Sequence, residues 1–278
     1  VRPGVTTQSI DDIARAALLD AGAEPLFSGY VQGASPPFPA STCISVNEEV
    51  VHGIPGPRVL LPGDLVTIDV GARLDGWCAD SAISVVVAPA PGASVNAMAQ
   101  RRAELATELV EATRALLDYA IELMSPGVMW SQIARALELA AEQSGFGIVT
   151  EYIGHGIGRN LHESPRVPAY WTGFQGEDFR LEEGMTLAVE PMLTSRPGRA
   201  PGMDGAPTVG VDGLPAWRTR IRDQGDGWTV VTRDGSLACH EEHVVALVPG
   251  GTRILTADSD ESHHSGLSAT GRQGGRRL

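Results

Sequence analysis

The apolar residues of this chain follow two patterns, helical spacing in some segments and short strand-like runs in others. Segments 2–23 and 125–145 each carry Pro-Gly-Val after their first residue, followed by a polar cap and then by apolar residues at helical spacing. A longer amphipathic stretch at about 95–124 predicts a further helix. Short apolar runs bounded by glycine predict strands, with turns at Asp75–Gly76 and Asp234–Gly235 that close two hairpins.

The helical segments and the strands repeat once along the chain. Gly4 and Gly127, at equivalent places in the two Pro-Gly-Val segments, are 123 positions apart. Gly63 and Gly184 each precede an apolar strand with a carboxylate six residues further on, and they are 121 positions apart. The agreement predicts two similar α/β halves with pseudo-twofold symmetry, strands meeting centrally and helices outside. By the same symmetry, a helix that should precede the first Pro-Gly-Val is expected to be missing.

Composition limits the function classes. With 278 residues, 42% of them hydrophobic, we expect one domain at 1–255. The polar residues 256–278 predict a disordered tail, and the Gly-, Pro- and Arg-rich stretch 196–227 predicts a long irregular excursion. Three separated cysteines, and no apolar run fit for a membrane span or signal peptide, indicate the cytoplasm and no membrane partner. A net charge of −13 argues against a nucleic-acid partner.

Four carboxylates lie in apolar strands, where an unpaired charge is costly. Asp69 lies in LVTIDVG, and Asp80 lies across the predicted hairpin, on the same side of the sheet. Glu190 lies in TLAVEPML and Glu242 in ACHEEHVVAL, where the neighbouring Glu241 should point to the opposite face. Acids that face one core remain charged only where cations neutralise them.

A histidine completes the set. The stretch YIGHGIGRNLHESP places His155 between two glycines, which we expect to let a loop bring its backbone close to a metal. One imidazole and four carboxylates suit two divalent ions with bridging carboxylates, whereas the cysteines offer no thiolate set for structural zinc. Each residue alone has an ordinary structural explanation, and only their joint occurrence favours a metal site.

The motifs VNEEVVHGIPG, VTIDVGARLDGWCADSA, YIGHGIGRNLHESP, AVEPML and DGWTVVTRDGSLACHEEHV together resemble the bacterial type I methionine aminopeptidases. The resemblance covers nearly all of 2–255 and implies the pita-bread fold, an α+β architecture with two pseudo-symmetric halves, a central antiparallel sheet and outer helices. It implies removal of the amino-terminal methionine from nascent chains, with transient contact with the ribosome, by two divalent ions of cobalt, manganese or iron. The metal ligands that it implies are Asp69, Asp80, His155, Glu190 and Glu242.

The resemblance also assigns roles within the site. Asp80 and Glu242 would bridge the two ions, Asp69 would hold one of them, and His155 and Glu190 would hold the other. Glu190 would take up the proton of the attacking water. His162 would face the scissile carbonyl group, and His52 would lie near the scissile nitrogen.

The methionine pocket of the family corresponds to an apolar set next to His52 and His162, namely Phe38, Cys43, Leu161 and Trp228. Phe38 replaces a usual tyrosine, Leu161 replaces a usual phenylalanine, and a further tyrosine position reads Ser35. We therefore expect a pocket that is apolar but roomier than usual, with a less strict preference for methionine.

Two other functions stay open at this point. An Xaa-Pro peptidase would share the fold, although such proteins usually carry an extra N-terminal domain and Glu242–His243 suits the methionine class better. A truncated, non-catalytic binding protein of this fold would explain the missing helix, although such relatives typically lose ligands and all five are present here.

Overall fold

The computed structural model describes residues 1–92, 96–173, 175–195 and 218–257. All but two residues of the predicted tail, and most of the predicted excursion at 196–227, therefore lie outside the described residues. The helices are α1 (Thr7–Asp20), α2 (Ala97–Leu123) and α3 (Trp130–Ser144). The described strands are, in chain order, β1 (Glu24–Pro25), β2 (Cys43–Val46), β3 (Glu49–Val51), β4 (Leu65–Leu74), β5 (Trp77–Val86), β6 (Gly147–Ile148), β7 (Gly154–Gly156), β8 (Glu163–Val167), β9 (Thr186–Val189), β10 (Met192–Thr194), β11 (Ile221–Asp223), β12 (Val230–Thr232), β13 (Ala238–His240), β14 (His243–Val248) and β15 (Gly251–Ile254).

The three helices form where the periodicity predicts them, and caps fix their ends. The side chain of Thr6 accepts a hydrogen bond from the Ser9 backbone N–H at the start of α1. Asn96 caps α2 in the same way through Ala99. Helix α3 ends at Gly145, whose φ of 74° lies in the left-handed region that glycine adopts without strain.

The internal repeat is confirmed by equivalent hydrogen bonds in the two halves. The Gly4 N–H donates to the Leu60 carbonyl oxygen at 2.9 Å, and the Gly127 N–H donates to the Leu181 carbonyl oxygen at 2.7 Å. These donors and acceptors are related by the same offsets that the sequence shows. The offsets also relate two isolated antiparallel bridges, Thr6–Val59 and Met129–Arg180.

Every pairing between two of the named strands is antiparallel, and the two halves join at several places, including the pairing of β12 with β3 and a bridge beside the β4–β5 hairpin. In the first half β4 pairs with β5 along ten residues, and β1 and β2 flank β4. Asp75 and Gly76 both have positive φ at the hairpin turn, as the Asp-Gly pair predicts. In the second half the order is β15-β14-β9-β7-β8. The Glu242 N–H donates to the Ala82 carbonyl oxygen at 2.9 Å and so joins the two halves.

The prediction of a second hairpin, with its turn at Asp234–Gly235, is wrong. The chain does turn there, but β12 pairs with β11 and β3, whereas β13 pairs with β10. The Ala238 N–H donates to the Asn47 carbonyl oxygen at 2.7 Å, so a contact with the first half draws β13 away from β12. Long-range pairing decides this connection, and turn residues alone do not.

The main core lies between helices α2 and α3 and the sheets of the second half. Leu109, Leu117, Ile133, Leu137 and Leu187 are among its fully buried side chains. This packing supplies the rigid base on which the strands hold their polar residues in place. No helix in the described ranges combines the length and the apolar character needed to cross a membrane.

Candidate metal centre and substrate pocket

The β4–β5 hairpin brings Asp69 and Asp80 to one face of the sheet. In its register Asp69 pairs with Ala82, and Asp80 pairs with Gly71, two residues beyond Asp69. Side chains two apart on a strand share a face, so the two carboxylates lie diagonally across the hairpin. Both residues are buried, as the sequence predicts.

The second half brings its acids to the same place. Glu190 follows directly after β9, and Glu242 is the residue bonded to Ala82, next to the hairpin. Ligand atoms of Asp80, His155 and Glu242 all lie within 4.8 Å of one another, and the three residues are buried. We name the six side chains around this point the acidic floor: Asp69, Asp80, His155, Glu190, His240 and Glu242.

His155 lies in strand β7, and the expectation of a loop at this position is wrong. The glycines are needed because neighbouring strands approach closely: a Cβ on Gly154 would lie 2.3 Å from the Ala188 carbonyl oxygen, and one on Gly156 would lie 2.3 Å from the Ser164 carbonyl oxygen. The His155 Nδ1–H donates to the Gly156 carbonyl oxygen at 2.9 Å. This bond directs Nε2 toward the acids, which is the usual arrangement for a histidine that binds a metal through Nε2.

Burial and mutual repulsion disfavour the charged forms of three acids of the floor. Burial, followed by repulsion from Glu190, raises the pKa of Asp80 to about 7. Burial, followed by repulsion from Asp80, also raises the pKa values of Asp69 and Glu242 well above their ordinary range. Asp69 Oδ1, Asp80 Oδ1 and Glu242 Oε1 are buried without a hydrogen-bond partner among the described residues. Oxygen-rich donors left unpaired in this way fit divalent cations.

Glu190 differs from these acids because imidazoles surround it. Burial alone would raise its pKa, but the proximity of His240, and then of the His155 and His52 imidazoles, brings the pKa below its ordinary value. His240 Nε2 lies 3.4 Å from Glu190 Oε2, whereas His155 Nε2 lies 3.7 Å from Glu190 Oε1. The sequence analysis missed His240. Strand alternation, which separates Glu241 from Glu242, would have placed His240 on the same face as Glu242.

Glu241 points away from the floor, as predicted. Its Oε1 accepts hydrogen bonds from the Ser84 N–H at 3.2 Å and from the Arg114 guanidinium at 3.0 Å. The residue is therefore part of the structural contact between α2 and the strands, and it leaves Glu242 alone to face the cleft.

Two further histidines line the cleft beside the floor. The His162 ring centre lies 4.3 Å from that of His155, and His162 Nδ1 lies 3.0 Å from the Tyr30 hydroxyl oxygen. Burial, followed by His155, lowers the pKa of His162. Burial lowers the pKa of His52 to about 4. Both rings are thus neutral at pH 7 in the absence of metal.

The predicted pocket residues line a cavity of about 260 Å³ that the floor also lines, and the apolar ones pack in a single cluster. We name the apolar side of this cavity the apolar wall: Tyr30, Phe38, Cys43, Leu161 and Trp228. The rings of Phe38 and Trp228 meet edge to face with centroids 5.3 Å apart. The Trp228 indole N–H donates to the Pro36 carbonyl oxygen at 2.8 Å, which fixes the ring in place.

The expectation for the further tyrosine position is wrong. Ser35 is not among the residues that line the cavity, whereas Tyr30, five residues earlier, is. Tyr30 bonds to His162, and its ring lies 6.3 Å from that of Trp228. A comparison of motifs without a gap could not find it, because the connection between β1 and β2 folds back to bring Tyr30 into the cavity.

Known proteins share these features. Residues 1–246 match metallopeptidase family M24. The methionine aminopeptidase of Aquifex aeolicus (strain VF5) is 39% identical over 262 residues, which are 92% of this chain and 87% of that protein. Methionine aminopeptidase 1 of Mycobacterium tuberculosis (strain CDC 1551 / Oshkosh) is 40% identical over 261 residues, 91% of this chain and 83% of that protein.

Solved structures agree with this match. The methionine aminopeptidase from Thermotoga maritima superposes with a TM-score of 0.75 at 33% identity, covering 93% of this chain and 88% of that chain. The prolidase from Pyrococcus horikoshii OT3, at 19% identity and a TM-score of 0.61, covers 94% of this chain and 57% of that chain, and shows the shared pita-bread fold alone. The chain therefore belongs to metallopeptidase family M24 and, within that family, to the methionine aminopeptidases.

Proposed function

We propose that this chain removes the amino-terminal methionine from proteins and peptides by hydrolysis at two divalent ions held on the acidic floor. One observation carries the proposal: buried carboxylates from distant parts of the chain converge, and three of their oxygen atoms have no hydrogen-bond partner among the described residues. Charged acids tolerate this arrangement only beside cations. Membership of the methionine aminopeptidases supports the reaction and the substrate terminus.

The donor set fits the ions that the family implies. Asp69, Asp80, His155, Glu190 and Glu242 would hold the ions, and Asp80 and Glu242 would be shared between them. Four carboxylates and one imidazole suit manganese, iron or cobalt, and metal availability selects among them in a cell. When bound, such ions lower the pKa of a water molecule toward neutrality and polarise the scissile carbonyl group.

The protein groups around the ions position the peptide and carry protons. Glu190, with its lowered pKa, is charged at neutral pH and accepts the proton of the attacking water at a carboxylate oxygen. The Tyr30 hydroxyl lies 3.0 Å from His162 Nδ1, and we assign it as the donor. Nε2 of the neutral ring then carries the hydrogen and donates a hydrogen bond to the carbonyl oxygen as negative charge develops. His52, also neutral, faces the scissile nitrogen.

The apolar wall supplies the selectivity. Its lining of aromatic, aliphatic and thiol side chains suits the unbranched thioether of methionine, which packs well against aromatic rings. We place the reaction in the cytoplasm, on chains that leave the ribosome, where new amino-terminal methionines arise. An Xaa-Pro peptidase activity has less support, because the prolidase likeness is at the level of the fold.

Peptide hydrolysis with defined metal loading tests this function. The metal-free protein is loaded with Mn²⁺ or Co²⁺ and offered a Met-Ala-Ser peptide and an Ala-Pro peptide. We expect release of methionine from the first peptide alone, and its loss on chelation. Glu190→Gln should abolish release in a folded protein, whereas Glu183→Gln, an exposed acid of the preceding turn, should not. Cleavage of Ala-Pro instead, or of neither peptide by folded, metal-loaded protein, would overturn the proposal.

A further inference from the structure

His240 is a buried imidazole whose position is fixed by its backbone. It is the last residue of β13, its exposed fraction is 3%, and it lines the same cavity as the floor. The Ser84 hydroxyl donates to the His240 carbonyl oxygen at 2.7 Å, and the His240 N–H lies within reach of the same hydroxyl oxygen at 3.4 Å. The ring is therefore held on a strand that is attached to the hairpin of the first half.

The free nitrogen of this ring is directed at the acids. His240 Nε2 has no hydrogen-bond partner among the described residues, and it lies 3.4 Å from Glu190 Oε2 and 3.9 Å from Glu242 Oε2. The other oxygen of Glu190, Oε1, faces His155 Nε2 at 3.7 Å. Each oxygen of the Glu190 carboxylate thus has its own imidazole, and the two imidazoles come from different strands.

We infer that His240 is a positioning residue for the metal site: its Nε2–H donates to Glu190 Oε2 and turns Oε1 toward the ion that His155 shares. This inference rests on the proposed metal-binding role of Glu190. A small rotation of the ring closes 3.4 Å to the usual length of such a bond, which is 2.7–2.9 Å for a charged acceptor. Without this donor, the carboxylate could rotate within the cleft and bind the ion less well.

Two substitutions of His240 distinguish this role from others. His240→Gln keeps an N–H donor of similar reach, whereas His240→Leu removes the donor and keeps the bulk. Affinity for Co²⁺ is measured by calorimetry on metal-free protein, together with the visible absorption spectrum of bound Co²⁺. We expect His240→Leu to weaken Co²⁺ binding ~10–100-fold, as loss of a ligand-orienting hydrogen bond does. His240→Gln should restore the affinity and the spectrum to those of the unmodified protein.

Cys239→Ala is the matched control. Cys239 is buried in the same strand, but its side chain belongs to the main core on the opposite face. The control should lower the free energy of unfolding and leave Co²⁺ affinity unchanged. Measuring unfolding of all variants without metal separates a folding defect from a metal-binding defect.

Three results would count against the inference, and each has a distinct meaning. Unchanged Co²⁺ affinity in His240→Leu would show that the ring does not position a ligand. A loss in His240→Gln as large as in His240→Leu, with a changed Co²⁺ spectrum, would show that the imidazole is itself a ligand. Failure of the unmodified protein to bind any divalent ion would overturn the proposed function, and the inference with it.

Discussion

The acidic floor and the apolar wall line one cavity, but they are built from different parts of the chain. The floor residues lie on strands or directly beside them, at β4, β5, β7, β9, β13 and β14. The wall comes mostly from connections, with Tyr30 and Phe38 between β1 and β2, and Leu161 between β7 and β8. Paired strands hold side chains more exactly than loops do. The difference indicates that the chemistry is fixed and that the selectivity is open to change.

The floor and the wall also differ in whether they need bound cations. The floor concentrates like charges, and burial raises the pKa values of three of its acids. The wall needs no cation, because it is apolar and because its indole N–H, that of Trp228, donates a hydrogen bond to the Pro36 carbonyl oxygen. We therefore expect the floor to depend on cations for its stability, and the wall to be indifferent to them.

The largest expected effect follows from removing an acid that we propose as a bridge between the ions. Asp80→Asn should lower kcat/KM by roughly a thousandfold or more, because the proposed reaction needs both ions and this carboxylate would help to hold each of them. The same variant should make the metal-free protein more stable, because it removes one of several repelling buried acids. Calorimetric metal stoichiometry, peptide hydrolysis and urea unfolding measure the three quantities.

Asp75→Asn is the control for Asp80→Asn. Asp75 lies on the exposed turn of the same hairpin, with a φ of 51°, a conformation that asparagine also tolerates. This variant should keep activity and metal content. An Asp80→Asn protein that retained two ions and normal turnover would refute the bridging assignment.

The next effect is a pH dependence of stability in the metal-free protein. A carboxyl group whose pKa is raised on folding stabilises the folded state at low pH, and this contribution disappears as pH rises through the folded pKa. For Asp80 the window runs from about pH 4 to about pH 7, and its size is on the order of 4 kcal/mol. His52 and His162, whose pKa values are lowered, act in the opposite sense below pH 6.5.

A difference measurement isolates the acid contribution. The free energy of unfolding of the metal-free protein, minus that of metal-free Asp80→Asn, should fall as pH rises from 4 to 7. Saturating Mn²⁺ should reverse the trend, because ions bind better as the carboxylates lose their protons. If this difference in the free energy of unfolding did not change between pH 4 and pH 7, the pKa of Asp80 would not be raised in the folded protein.

The sequence predicted the floor well for physical reasons. An acid inside an apolar strand is visible without a structure, because only a compensating partner makes it tolerable. Strand alternation then places Asp69 and Asp80 on one face, and the register agrees. The internal repeat was visible because the same backbone bonds, such as Gly4 to Leu60 and Gly127 to Leu181, require the same glycines in both halves.

The rest depends on contacts between residues far apart in the chain. The β12–β13 hairpin was wrong because contact with Asn47 draws β13 to β10. Tyr30 was missed because the path of a connection decides which of its residues reaches the cavity. For His240, strand alternation gives only the face of the sheet, and its neighbour Glu190 comes from a part of the chain 50 positions away. The roles of the site residues stay predictions that the experiments above test.

On the wall, removal of the Tyr30 hydroxyl should have a moderate effect. Tyr30→Phe keeps the ring contacts but frees His162 Nδ1, so the neutral imidazole can place its hydrogen on either nitrogen. We expect kcat to fall about tenfold with little change in KM, since the lost interaction matters as charge develops on the carbonyl oxygen. Tyr119→Phe, on the surface of α2, should leave both constants unchanged. A change confined to KM would assign Tyr30 to binding alone.

The smallest expected effect concerns the size of the pocket. Leu161 is 6% exposed and packs in the same cluster as Phe38 and Trp228, so a larger side chain there projects into the cavity or strains the cluster. If the pocket is roomier than usual, Leu161→Phe should raise the preference for methionine over ethionine about three- to tenfold, which is less than one methylene group is worth in a closely fitting pocket. The measurement is the ratio of kcat/KM values for the two amino-terminal residues, with Leu139→Phe on the exposed face of α3 as the control. An unchanged ratio would mean that the surrounding connections move to accommodate the added ring. In that case the selectivity of the wall would not depend on single side chains, in contrast to the metal binding of the floor.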